Sequence, residues 1–494
     1  MRRSPIALFL AVSFCCPAFV SGAMVDTGQD ACYGEAGPMP CPAPGTPFFG
    51  QDAQYDGAAP SYKDNGDGTV SDLNTGLMWS KAADATKVSL LEAQEIAKKM
   101  RLGGYDDWRV PNIKELYTLI DFRGCTGFSG GSMDAVPDNA VPFINTDYFD
   151  FRYGPVEAGE RYIDAQWLSS TKYVSTTMDG DKTLFGVNFA DGRIKGYGYA
   201  STRRARREKK FYVRYVRGPA YGANDFVDNG DGTVTDAATG LMWMKADAGR
   251  PMGWEEALAY AEDLRYAGHD DWRLPNAKEL QYIVDYTRSP DATGSAAIDP
   301  VFETTSIENE AGQKDYPYFW TSTTHQDGPQ PGRSAAYVAF GRALGKMHGE
   351  IMDVHGAGAQ RSDPKTGTPI SRGPQGDMLR IRNFVRCVRA GGVVPGKGAP
   401  SGDRGAYPYK IRVLSSAAGE REEKSPRRES PGRDAGRFVA RLDRDGDGRV
   451  SRGEFDGPAG QFDVLDRDRD GYLSEDEVPA RPSSGRGGQR RPPA

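Results

Sequence analysis

Apolar positions along the chain fall in short runs punctuated by turn dipeptides, a pattern that predicts short strands interleaved with a few helices. At the start, Arg2 and Arg3 precede an apolar run from Ile6 to Val20, followed by the small residues Ser21 and Ala23. That order predicts a secretory signal peptide over 1–23. Phe14 stands before Cys15 where a lipoprotein signal needs a small residue, and no later stretch reads as a membrane span. Further on, Asn65-Gly66, Asp67-Gly68 and Thr75-Gly76 flank Thr69-Val70 and Leu77-Met78-Trp79, which predicts a β-hairpin. Ser89, with Glu92 three residues on, is a capping box that opens a helix, stopped by Gly103-Gly104. Asn112 and Glu115 repeat the device after Pro111 has set an extended entry. Tyr-, Phe-, Val- and Trp-rich strands follow and close on the alternating segment Tyr212-Val213-Arg214-Tyr215-Val216-Arg217.

The whole pattern occurs twice. DNGDGTVSDLNTGLMWSKA from Asp64 returns as DNGDGTVTDAATGLMWMKA from Asp228, 164 residues later. The same offset carries Asp106-Asp107-Trp108-Arg109-Val110-Pro111-Asn112 onto Asp270-Asp271-Trp272-Arg273-Leu274-Pro275-Asn276. Later the loops differ in length, yet Trp167-Leu168-Ser169-Ser170-Thr171 stands beside Trp320-Thr321-Ser322-Thr323-Thr324, and Phe384 to Arg389 repeats the closing strand. So long a period means tandem copies of one domain and not solenoid units. Each copy is predicted to be α+β, two helices on a largely antiparallel sheet, with Trp79, Trp108, Trp243 and Trp272 in the core.

These motifs, in both copies and over about Tyr62 to Ala390, resemble the C-terminal domain family of the Legionella collagen-like protein, long catalogued as a domain of unknown function. The resemblance implies a fold similar to C-type-lectin-like domains and a namesake that binds sulfated polysaccharides; it brings no catalytic residues. Tyr215 stands where Cys is usual in the last strand, which implies that copy 1 lacks a disulfide there. Thr27-Gly28-Gln29 with Cys32 and Cys41 looks like the lead-in common before such domains.

Length and composition sharpen this picture. A chain of 494 residues is too long for one core, and 61 Gly with 33 Pro indicate loop-rich folds joined by unstructured segments. The net charge of −6 names no partner in bulk. Of six cysteines, two sit in the signal, and the remaining four in an exported chain favour disulfides. Cys32 with Cys41 is the first choice of pair; Cys125 with Cys387 is one further option.

Catalytic chemistry is poorly supplied. Asp106-Asp107 and Asp270-Asp271 are adjacent on an extended segment and point apart. His269, His325, His348 and His355 all lie in copy 2, so copy 1 has no histidine mechanism, although an active pocket in copy 2 using His269 or His325 stays open. Arg109 and Arg273 could recognise a carboxylate or sulfate, or form a structural ion pair. Asp64, Asp67 and Asp72, like Asp228, Asp231 and Asp236, lack the alternate oxygens of a calcium loop and are expected to shape turns. Arg203, Arg204, Arg206, Arg207, Lys209 and Lys210, just before the last strand of copy 1, form the densest positive cluster and a candidate polyanion site. No nucleic-acid module is recognisable.

Beyond copy 2, 391–434 shifts to Gly, Pro, Ser, Arg and Glu and reads as a disordered linker. An EF-hand pair is predicted at 435–480. Its first loop offers Asp443, Asp445, Asp447, Arg449, Ser451 and Glu454, and its second Asp466, Asp468, Asp470, Tyr472, Ser474 and Glu477, with Gly448 and Gly471 at the sharp turns. Alternating oxygens on a tight turn surround one point, which is what a hard divalent cation requires. Val450 and Leu473 are expected to pair between the loops, over a small core of Phe438, Leu442, Phe455, Phe462 and Leu465.

The expectation is therefore an α+β chain: signal peptide 1–23, disulfide-containing lead-in 24–61, lectin-like copies 62–220 and 221–390, linker 391–434, all-α EF-hand pair 435–480 and a disordered basic tail 481–494. Its function is read as an exported calcium-binding protein of the periplasm, cell surface or exterior that engages a glycan or other polyanion. A copy-2 enzyme and a calcium-dependent protein-docking module are the alternatives.

Overall fold

A computed structural model describes residues 24–35, 37–84, 86–128, 132–200, 209–328, 330–368, 375–396, 442–443, 445, 447–455, 465 and 470–474. The predicted signal peptide and basic tail, and the linker from 397 on, lie outside the described residues. The chain divides into two units, 1–418 and 419–494.

In the first unit each copy opens as the turn dipeptides predict. Strands Tyr62–Asp64, Thr69–Asp72 and Met78–Ser80 form an antiparallel meander that the last strand, Val216–Arg217, closes. Phe226–Asp228, Thr233–Asp236, Leu241–Met244 and Val388–Ala390 do the same in copy 2. Asp64 and Asp67 accept hydrogen bonds from the amides of Gly66 and Thr69, and Asp228 and Asp231 from those of Gly230 and Thr233, so these carboxylates shape turns.

Helix α1 (Leu90–Lys99) starts at the Ser89–Glu92 capping box but ends before Gly103-Gly104, which instead make the turn joining Leu102 to Tyr105. Helix α2 (Ile113–Thr118) is capped by Asn112 and Glu115. In copy 2, α3 (Trp254–Glu262) and α4 (Ala277–Tyr282) match them, with Asn276 and Glu279 capping α4. Each such cap stabilises its helix by about 1 kcal/mol.

The two copies share one sheet. Strands β1 (Gln166–Thr177), β2 (Asp181–Asn188) and β3 (Arg193–Ala200) of copy 1 and β4 (Tyr318–His325), β5 (Ser334–Ala339) and β6 (Gln360–Pro364) of copy 2 run in the order β4-β5-β6-β3-β2-β1. The copies therefore meet edge to edge, β3 against β6, at Ile194 and Gln360. That junction consumes the exposed edge each copy would otherwise present. It demands a close approach: a Cβ on Gly196 would lie 2.3 Å from the His355 carbonyl, whose oxygen accepts the Gly196 amide at 2.8 Å. One apolar cluster, including Tyr117, Phe122, Trp167, Phe185, Leu280, Phe319 and Val338, spans both copies, with smaller clusters under α1 and α3. Trp79, Trp108, Trp243 and Trp272 are all buried as expected.

Copy equivalence shifts by one residue in the strand where the letters match best. The Leu168 amide donates to Tyr212 O and the Trp320 amide to Phe384 O, both at 2.9 Å. Trp167 and Phe319 form backbone bridges and tilted or edge-on ring contacts with those same residues, Tyr212 and Phe384. Trp167 thus corresponds to Phe319, and Trp320 to Leu168. Aligning Trp with Trp is corrected by the backbone register, because a one-residue slip exchanges the faces of a strand.

The lead-in packs across copy 2. Cys32 and Cys41 are disulfide-bonded. Gln29 makes a paired amide contact with Thr324, donating to its carbonyl at 2.7 Å and accepting from its amide at 2.8 Å. The chain returns after copy 2, where Val394–Pro395 pairs with Tyr55–Asp56. The tether expected from Gly391 is therefore ordered strand through Gly396, held by the Gly396 amide on Gln54 O at 2.7 Å. Among the described residues no helix is long and apolar enough to cross a membrane.

Candidate functional site

In the second unit the first acidic loop curls as its spacing demands. Gly448 takes φ +84° and donates its amide to Asp443 Oδ2 at 2.8 Å. The amides of Asp447 and Arg449 turn inward onto Asp445 and Asp447. Carboxylate oxygens of Asp443, Asp445 and Asp447 consequently lie within 4.8 Å of one another. Glu454, the twelfth residue, is folded back and nearly buried: Oε2 accepts from the Ser451 amide and hydroxyl at 2.9 and 2.7 Å, and Oε1 from the Asp445 amide at 3.3 Å.

The second loop contributes Asp470, which accepts the Tyr472 amide at 2.8 Å, and Gly471 at φ +88°. Tyr472–Leu473 pairs with Val450–Ser451, Val450 opposite Leu473, as expected. Both are fully buried with Leu442, against Phe455 and Leu465. Arg449 reaches Asp470 at 3.2 Å across the loops. Of the remaining predicted ligands, Ser474 is described, whereas Asp466, Asp468 and Glu477 lie outside the described residues, as do Phe438 and Phe462.

Electrostatics bear on whether this donor set suits a cation. The Asp445 carboxyl is lowered by the bond it accepts from the Asp447 amide, yet desolvation and the charges of Asp447 and Glu454 raise it on balance. Three converging carboxylates repel one another, and a divalent ion among them relieves that repulsion. The all-oxygen donors fit Ca²⁺ or Mg²⁺ and not a softer metal.

The other predicted residues are placed differently. Arg109 and Arg273 make bidentate ion pairs with the capping glutamates Glu115 and Glu279 at 2.6–2.7 Å, so they are structural. Asp107 and Asp271 point instead to Arg217 and Arg389. His325 is buried at the copy junction, its Nε2 2.9 Å from Asp191 O. His269 sits in the turn facing Tyr266. Cys125 and Cys387 are buried thiols in separate places, the Cys125 backbone paired with Val141 and Cys387 packed under α3, so the Cys125–Cys387 disulfide option falls.

Within the basic cluster, Arg203, Arg204, Arg206 and Arg207 lie outside the described residues. Lys209 lies over the Tyr197 ring at 4.3 Å, its pKa lowered to about 8 by burial, and Lys210 meets Glu92 at 3.1 Å. Lys209 is thus packed against copy 1, whereas Lys210 and its partner are both about half exposed.

Sequence reasoning missed Arg214 and Arg386, the centre of each copy. Arg214 is fully buried, donates to the carbonyls of Ser80, Lys81 and Asp150 at 2.6–2.7 Å, and lies between Phe149 and Trp167 at 4.9 Å. Arg386 repeats this with Met244 O, Glu303 O, Phe302 and Phe319. Burial lowers their pKa values to about 9 and about 10. Only the convergence of carbonyls from distant loops reveals these inward arginines.

The sequence model of the family described as the Lcl C-terminal domain matches residues 68–217 and 232–354, one match in each copy. No curated protein and no solved structure matched the chain.

Proposed function

Because the chain belongs to the Lcl C-terminal domain family, with two tandem copies of that domain, we propose that it is an exported calcium-binding protein whose paired copies engage a glycan or other polyanion. The calcium clause is supported by one observation above all: the three converging carboxylates of Asp443, Asp445 and Asp447, closed by the buried Glu454. Asp443, Asp445, Asp447, Ser451, Glu454 and the Arg449 carbonyl would hold the ion, and the second loop would repeat the set. The Val450–Leu473 pairing would couple the two sites, since both loops hang from one short ladder. When bound, calcium supplies a charge that ties the loops together, a structural role in an exported module with affinity of about 10⁻⁴ to 10⁻³ M.

The glycan clause is supported by the family resemblance and by the basic cluster. Arg203, Arg204, Arg206 and Arg207 would carry the contact, through paired hydrogen bonds to sulfate, with the half-exposed Lys210 beside them. Calorimetry of Ca²⁺ against the full chain tests the first clause: saturable heat is expected, weakened strongly in Glu454→Gln and Glu477→Gln. Absence of heat, with the variants indistinguishable from the parent, would sink it. A panel of sulfated and neutral glycans at two salt concentrations tests the second, and salt-sensitive binding lost on replacing the four arginines is the expected outcome.

A further inference from the structure

A cavity of about 500 Å³ opens where the lead-in crosses copy 2. Pro42, Phe49 and Tyr55 of the lead-in and Pro395 of the returning strand give it an apolar wall. Glu262, the last residue of α3, and Asp270, in the following turn, face it from copy 2.

The charges lining it do not cancel. Arg273 is held by Glu279, and Arg389 neutralises Asp271 at 2.5 and 3.0 Å. Glu262 receives the Tyr55 hydroxyl at 2.5 Å, a neutral donor, and the nearest base to Asp270 is Arg265 at 3.9 Å on the exposed side. Glu262 thus has no ion pair among the described residues, the charge of Arg273 reaching it only from further off, and Asp270 keeps a single long one. Burial holds the Glu262 carboxyl above its ordinary range, against the Tyr55 hydrogen bond and the charge of Arg273, which lower it. The lead-in closes tightly over it: a Cβ on Gly50 would meet Glu262 Oε1 at 2.6 Å.

Copy 1 differs at the first of these two carboxylates. The 164-residue offset puts Lys98 where copy 2 has Glu262 and Tyr105 where it has His269. Lys98 is exposed and pairs with Glu95. Glu262 is therefore particular to copy 2, whereas Asp270 answers to Asp106 of copy 1, and the apolar wall comes from segments outside the repeat.

We propose that this cleft binds a small organic cation, an ammonium or guanidinium group on an apolar stem, with its charge on Glu262 and Asp270 and its stem against Pro42, Phe49 and Tyr55. Charge-assisted hydrogen bonds to the carboxylates and the face of Tyr55 favour such a group. Sulfated ligands are repelled, so this site is separate from the polyanion site and stands or falls independently of it. A free amine and a basic side chain of a peptide share this chemistry.

Calorimetry on the full chain tests the proposal. Agmatine and glucosamine represent free cations, the amide of acetyl-arginine represents a side chain, and glucose is the uncharged control. Saturable binding of at least one cationic probe is expected, with glucose silent. Glu262→Gln, which keeps an acceptor for the Tyr55 hydroxyl, should weaken it by at least about tenfold. Asp270→Asn, at an exposed position that cannot disturb folding, should weaken it by a smaller factor. Glucose binding as well as glucosamine, silence of all three cations, or agmatine affinity unchanged in both variants would each overturn it.

Discussion

Copies 1 and 2 carry the same Asp-Asp-Trp-Arg-x-Pro-Asn segment and the same arginine–glutamate pair, yet in different surroundings. Arg109 keeps 39 % of its side chain exposed, whereas Arg273 keeps 4 %, because Tyr55 and the rest of the lead-in lie over copy 2. The helix lysines show the reciprocal arrangement. Lys278 donates to Asp26 O in the lead-in at 2.7 Å, and Lys114 donates to Gly222 O in the connector between copies at 3.0 Å. Each copy is thus completed by the segment that precedes the other. The lesson is that duplication conserved a framework while the flanking segments set the dielectric and the charge of each copy.

The largest expected effect separates the two pairs. Glu279→Gln leaves Arg273 charged and buried and is expected to cost about 3–5 kcal/mol. Glu115→Gln leaves an arginine that can turn to water, at about 1–2 kcal/mol. Urea unfolding of both variants measures the difference; equal losses would break the comparison.

Next in size is the double change Cys32→Ser with Cys41→Ser. Opening a loop with a sequence separation of 9 should cost about 2–3 kcal/mol. Because Lys365 donates to Tyr33 O at 3.0 Å while its Nζ sits 4.0 Å from the Trp254 ring, loosening the lead-in should alter tryptophan fluorescence and admit protease within 24–61. An unchanged digestion pattern would show that the lead-in holds without its disulfide.

A smaller effect concerns pH. Asp52 is buried under the hydroxyls of Thr27 and Thr323, and desolvation, then the charge of Asp26, pushes its pKa up to about 8. With the folded value above the unfolded one, its contribution is fully present below about pH 4 and is lost as pH rises to about 8. Asp353 and Asp363, raised to about 7 by burial, act in the same direction. Lys278, lowered to about 8, changes stability only above that pH, where it opposes further loss. The buried His325 and His355, both lowered by desolvation, act the other way up to about pH 6.5, so unfolding midpoints should decline from about pH 6.5 to 8, and Asp52→Asn should make the decline shallower. A parallel curve would refute this assignment.

Smallest of all, Asp107→Asn and Asp271→Asn remove rim ion pairs, and both unfolding midpoints should stay almost unchanged. A large loss in copy 2 alone would mean that the cleft depends on Asp271 for its shape.

What could be read along the chain was local. Asn112 with Glu115 and Asn276 with Glu279 were legible as caps because a capping box is complete within four residues. Val450 opposite Leu473 was legible because two loops of one length place the same position face to face. Arg214 and Arg386 were not, since their partners come from hairpins and loops far away in sequence. The correspondence of Trp167 with Phe319 was hidden by a better letter match one residue away, and only the bonds to Tyr212 and Phe384 decide it. The acidic cleft was hidden for the same reason: its two walls lie some 200 residues apart, Tyr55 on one and Glu262 on the other.

By itself the sequence determined the duplication, the turns and caps, the aromatic core and the oxygen-rich loops near its end, because each depends on residue types at fixed short spacings. Only the tertiary structure decided that the copies fuse through β3 and β6, that the lead-in lies over copy 2, and that Glu262 faces the cleft with no ion pair among the described residues. Those outcomes depend on which backbone edges and buried charges meet across long separations, where hydrogen-bond satisfaction and desolvation act on neighbours in space and leave no periodic trace along the chain.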